Sequence, residues 1–121
     1  MKDLTEKKIE QSIEDRKRTY RTFFDNVKTY KPFLELEEKT FKDGVLNRRT
    51  KELMALSISI VTKCEPCMEW HLDQAIQNGA TDEEIFETID VSIEMGGGQA
   101  GAYARFVVKA LDYFRNKNES R

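Results

Sequence analysis

The stretch Glu52-Leu-Met-Ala-Leu-Ser-Ile-Ser-Ile-Val-Thr-Lys-Cys64-Glu-Pro-Cys67-Met-Glu-Trp-His71 decides how this chain is read. Its first half is apolar on nearly every helical face, which predicts a buried central helix over about Arg48 to Val61. Asn47 sits where the N-cap of that helix belongs. Its second half holds the only two cysteines and the only histidine. Pro66 is tolerated in the first turn of a helix and nowhere deeper, so a second helix is expected to begin near Cys64. The pair predicts an antiparallel helical hairpin turning near Lys63.

In the first two turns of that second helix, Cys67 and His71 are i and i+4 neighbours, and Cys64 lies one turn earlier on the same face. The unpaired N–H groups of a helix N-terminus favour thiolate over thiol, and His71 is placed to accept or return the proton. Two thiols at this spacing can close a disulfide once one of them is oxidised, which supports a two-electron cycle without a metal. Glu52 near a helix start is equally compatible with simple complementing of the helix dipole. In the hairpin, however, it lies opposite about residue 73 or 74, offset from His71 by ~3–5 Å at ~1.5 Å per residue. A carboxylate oriented on an imidazole oriented on a thiol is the logic of an activated nucleophile. Two alternatives stay open on the residues alone. The cysteines can be an inert core pair. They can also join His71 and Glu52 in a zinc site, although structural zinc usually takes two separated ligand pairs and no second pair exists here.

Outward from the hairpin, Leu4 to Tyr30 reads as an amphipathic helix carrying Ile9, Ile13, Tyr20, Phe23, Phe24 and Val27. Pro32 opens a second helix, with Phe33, Leu36 and Phe41 on one side, and Asp43-Gly44 stops it. Asn78-Gly79 ends the fourth helix, whose stripe is Leu72, Ala75 and Ile76. Thr81-Asp82-Glu83-Glu84 is a capping box that opens a fifth, through Ile85, Phe86, Ile89 and Ile93. Gly96-Gly97-Gly98 interrupts the pattern as a tight turn with close helix contact, and a last helix runs through Ala100, Tyr103, Phe106, Val107, Ala110, Leu111 and Phe114. The aromatic residues Tyr20, Phe23, Phe24, Tyr30, Phe33 and Phe41 could line a cofactor pocket, but rings at helical spacing are more often core or subunit interface, and they are assigned to packing.

Composition agrees with a single all-α domain of about six helices over residues 1–121: 2 prolines and 6 glycines in 121 residues, with 35% charged and 39% apolar. Twenty basic and 22 acidic side chains nearly cancel, which argues against nucleic acid or an anionic membrane as partner. No apolar run approaches the roughly 20 residues that span a bilayer, and Met-Lys-Asp-Leu-Thr lacks a signal-peptide core, so a cytoplasmic setting is expected.

Lys51-Glu52-Leu-Met-Ala-Leu, the step from Glu52 to Cys64, Cys64-x-x-Cys67-x-x-x-His71, Gly79-Ala80-Thr81-x-Glu83-Glu84-Ile85 and Met95-Gly96-Gly97-Gly98 together resemble the alkylhydroperoxidase D-like and carboxymuconolactone decarboxylase family over about residues 44–114. The resemblance implies a helical subunit of a homo-trimer or homo-hexamer with sites near subunit contacts. Within the two-cysteine branch it implies a thiol-dependent peroxidase acting on hydroperoxides. Cys67 would be the peroxidatic nucleophile, Cys64 the resolving thiol, His71 the acid/base and Glu52 its orienting partner. No metal or cofactor is implied, only an external dithiol donor. A thiol-disulfide oxidoreductase or redox sensor and a lactone decarboxylase-like enzyme are the alternatives. One position departs from the peroxidase pattern: Pro66 stands where such members can carry a further histidine, and Glu65 adds negative charge beside it.

Overall fold

A computed structural model describes residues 2–119 as six helices, with no strand among them: α1 Leu4–Asn26, α2 Tyr30–Phe41, α3 Arg48–Val61, α4 Glu65–Gln77, α5 Asp82–Gly96 and α6 Gly98–Glu119. The all-α expectation holds, and the helix ends follow the local chemistry. Asn47 accepts from the Thr50 N–H at the start of α3. Thr81 and Glu84 exchange both hydrogen bonds of a capping box at the start of α5. Helix α1 stops at Asn26, short of Tyr30, because Val27 turns extended and Tyr30 becomes the first residue of α2.

The most extensive pairings are α3 with α4, α3 with α5, and α5 with α6. Leu56 and Ile60 of α3, Met68 and Leu72 of α4, Ile85 of α5 and Val107 of α6 are fully buried in one core, together with Ile9 from α1. Burying each such side chain is worth about 1.5–3 kcal/mol, so this cluster fixes the hairpin. Helix α3 is central in its contacts but not buried all round. Met54 and Ile58 are half or more exposed on its outer face.

The turn between α3 and α4 is a Schellman ending. Cys64 N–H reaches Ser59 C=O at 3.0 Å and Lys63 N–H reaches Ile60 C=O at 3.1 Å, with Lys63 in the left-handed region at φ 61°. That ending brings Cys64 directly after α3, where it caps α4. At the glycine triplet only Gly97 leaves the helix, at φ 76° and ψ −163°. A Cβ on Gly96 would lie 2.8 Å from the Ala100 Cβ, so the absence of a side chain lets α5 and α6 meet.

Candidate functional site

Helix α3 delivers Glu52, and α4 delivers Cys67 and His71. The Glu52 carboxylate is almost fully buried, and its Oε1 lies 2.7 Å from His71 Nδ1. Against an ionised carboxylate, which only accepts, Nδ1–H is the donor in this contact. Phe41, at the end of α2, stacks on the imidazole with ring centroids 5.3 Å apart. Lys51 Nζ holds that end of α2 by donating to the Thr40 and Lys42 carbonyls.

Cys64 and Cys67 are joined as a disulfide. Cys64 is also the N-cap of α4, its sulfur accepting from the Cys67 N–H at 3.3 Å. Both are half-buried, but Cys67 borders a cleft of about 1130 Å³ that His71 also lines. The opposite wall is aromatic: Tyr20 and Phe23 from α1, Tyr30 and Phe33 from α2. Within one chain these rings both pack and line the cleft. They do pack on one another, with Phe23 and Tyr30 centroids 5.4 Å apart, but Tyr20, Phe23 and Phe33 stay well exposed and wall the cleft. The reason is that only the N-terminal half of α1 meets the core, through Ile9 and Ile13.

Arg48, Gln74, Glu69 and Arg16 take part around the site with no functional role in the sequence reading. Arg48 donates from Nε to Glu52 Oε2 at 3.2 Å and from a terminal nitrogen to Gln74 Oε1 at 2.8 Å. Its i, i+4 spacing from Glu52 was a usable signal. Glu69 is fully buried and takes both arms of Arg16, at 2.8 and 3.3 Å, plus the Ser12 hydroxyl at 2.9 Å. Its signal was a carboxylate falling in the apolar stripe of α4. Arg16 also lies 4.6 Å over the Trp70 ring, so α1 is fastened beside the cysteine turn. Glu65 Oε1 is 3.5 Å from Lys8 Nζ, which offsets some of the negative charge it brings near the thiols. Among the described residues, no three His, Cys, Asp or Glu side chains converge in a metal-holding group. The Glu52 carboxylate faces Arg48 and His71 instead.

Residues 28–110 match the sequence profile described as the carboxymuconolactone decarboxylase family. The chain belongs to that family. A protein of Paracoccus denitrificans, the fourth uncharacterised protein of its cox locus, is 44% identical over 80 residues, which is 66% of this chain and 72% of that one. An uncharacterised protein of Cupriavidus necator is 40% identical over 73 residues, 60% of this chain and 62% of its own length. Among solved structures, a Thermotoga maritima member of the carboxymuconolactone decarboxylase family superposes with a TM-score of 0.83 at 32% identity, covering 91% of this chain and 94% of that one. An apo family member from Legionella pneumophila gives 0.84 at 29% identity, covering 88% and 96%. The family fold therefore extends well beyond the stretch on which the motifs sit. None of the described helices is long and apolar enough to cross a membrane.

Proposed function

We propose that the protein is a thiol-dependent peroxidase that reduces hydroperoxides through a Cys64–Cys67 disulfide cycle. The observation that carries this reading is one geometry: Cys67 opens on the same cleft as His71, and the carboxylate of Glu52 holds the Nδ1 side of that ring. Reduced Cys67, as thiolate, attacks the distal oxygen of the peroxide. The O–O bond breaks, the alcohol leaves with a proton passed through His71, and Cys67 becomes a sulfenic acid. The Cys64 thiol then attacks the Cys67 sulfur, water leaves, and the disulfide seen here is formed. An external dithiol returns two electrons and two protons. Glu52 keeps the ring oriented throughout. A role in antioxidative response has been suggested for the Thermotoga maritima family member, which is in keeping with this chemistry. The proposed setting is the cytoplasm, and the proposed assembly is a homo-oligomer.

A second reading, disulfide exchange with negligible peroxide turnover, is favoured by Pro66 and Glu65, which stand beside Cys67 where a further proton donor would strengthen the relay. Peroxide consumption driven by a panel of dithiols tests the first reading. Turnover should vanish in both Cys67→Ser and Cys64→Ser. Full turnover by Cys67→Ser would defeat it, and disulfide reduction without peroxide turnover in the wild type would select the second.

A further inference from the structure

Glu52 is a buried carboxylate with two partners, an imidazole and a guanidinium. An ionised group out of water is tolerated only when its charge is compensated, and a buried cluster is favoured when its charges sum to zero. Arg48 supplies that compensation from the solvent side, its own side chain staying 42% exposed. It lies one turn before Glu52 on α3, and its second arm crosses to Gln74, one turn after His71 on α4. Arg48, Glu52, His71 and Gln74 thus tie the two helices of the hairpin in a single hydrogen-bonded chain, with Phe41 covering the ring from α2.

We propose that Arg48 is a positioning residue that sets the proton count of the Glu52–His71 pair. With Arg48 in place, arginine and carboxylate already sum to zero, so His71 is neutral, carries its proton on Nδ1 toward Glu52, and leaves Nε2 unprotonated for the thiol side. Without Arg48 the pair regains neutrality by taking up one proton. Either the ring becomes an imidazolium against the Glu52 carboxylate, or Glu52 becomes a carboxylic acid that donates to Nδ1 and drives the ring proton to Nε2. Neither state leaves the ring as a neutral base in the orientation that the peroxidase cycle uses. The inference rests on the proposed peroxidase reading for its consequence, and on the hydrogen-bonded chain for its content.

His71 is the only histidine, so its ring nitrogens give one unambiguous set of signals in a two-bond proton–nitrogen correlation spectrum of the full-length protein. At about pH 8, above the usual imidazole range, the wild type should show a neutral ring protonated on Nδ1. Arg48→Met should lose that pattern for a doubly protonated or Nε2-protonated ring, and Arg48→Lys should restore it. Arg48→Gln, which keeps a donor but not the charge, is the variant read if Arg48→Met fails to fold, and it should behave as Arg48→Met does. A wild-type ring not protonated on Nδ1, an unchanged pattern in the neutral variants, or a lysine variant resembling them would overturn the proposal. Absence of peroxide turnover in a wild type with the expected ring pattern would count against the proposed function and leave this inference standing.

Discussion

At the scale of single residues, two carboxylates are buried among the described residues, and an arginine partners each of them. Glu52 shares its charge between Arg48 and a titratable imidazole, whereas the hydrogen-bond partners of Glu69 among the described residues are Arg16 and the Ser12 hydroxyl. The first arrangement can move a proton and the second cannot, so Glu69 is best read as the fastening of α1 onto α4. Removing one member of a buried pair strands the other, at a cost of about 3 kcal/mol where desolvation is complete. Arg16→Ala should therefore destabilise the protein by about 2–3 kcal/mol in urea unfolding, with the discount reflecting the third of its side chain that remains exposed. A change below about 0.5 kcal/mol, the size expected of a surface pair, would show that the fastening is not structural. The sequence displayed Glu52 because a nearby thiol and imidazole gave it a role. It hid Glu69 because the residue that explains it is 53 positions away.

At the scale of the helices, what was legible depended on whether the residue at each boundary advertised its conformation. Helix α4 ends in a Schellman motif at Gly79, φ 92°, with Ala80 N–H to Ala75 C=O at 2.9 Å, and α3 ends in the same motif at Lys63. Gly79 announces a left-handed residue, whereas Lys63 gives no such sign. The position of the α3–α4 turn was instead inferred from Pro66. The join between α1 and α2 was misplaced for the same reason, since Val27 is an ordinary helix residue that here turns extended. The aromatic residues could not be divided between packing and pocket from the sequence, because ring spacing is the same whether the rings face a core or a void. The two Schellman ends allow a paired test. A left-handed lysine is strained by about 1 kcal/mol relative to glycine, so Lys63→Gly should raise stability by up to that amount and Gly79→Ala should lower it by a similar one. Denaturation midpoints of the two variants moving in the same direction would contradict this account.

At the scale of the whole molecule, α1 is a wall of the cleft that the core holds only at one end, and ion pairs add to that hold. Lys109 on α6 lies beside Asp3, the N-cap of α1, and holds its carboxyl below the ordinary 3.8. Lys2 does the same for Glu10, below 4.5, and the Thr81 backbone does so for Glu84 at the start of α5. A carboxyl with a depressed folded value contributes stability that is complete above its unfolded value and is lost as pH falls through the folded one. The melting temperature should thus be insensitive to these groups from about pH 5 to 8 and should fall below about pH 4. In Asp3→Asn that acid-side fall should be smaller. An equal fall in the variant would remove the α1–α6 pair from the account.

The outer faces of α3 and α5 raise a separate question at the same scale. The two helices lie against each other, joined by Ser57 and Ser92 hydroxyls at 2.8 Å, yet Met54 and Ile58 on one and Phe86, Val91 and Met95 on the other are substantially exposed. Isolated apolar residues on a surface need no explanation, but apolar side chains gathered on two adjoining helices are what a subunit contact covers. Near-zero net charge, −2 over 121 residues, offers little repulsion between copies. If the proposed homo-oligomer uses this face, sedimentation of the wild type should give a mass several times 14.1 kDa. Ile58→Glu should lower that mass while the helical circular dichroism is kept, because a carboxylate placed there is solvated in the free subunit and desolvated only in the contact. The same substitution on the exposed Leu36 of α2, remote from this face in the chain, serves as the control and should leave the mass unchanged. A wild type that sediments at the mass of one chain at micromolar concentration would end this reading, and an assembly indifferent to Ile58→Glu would move the contact to another face.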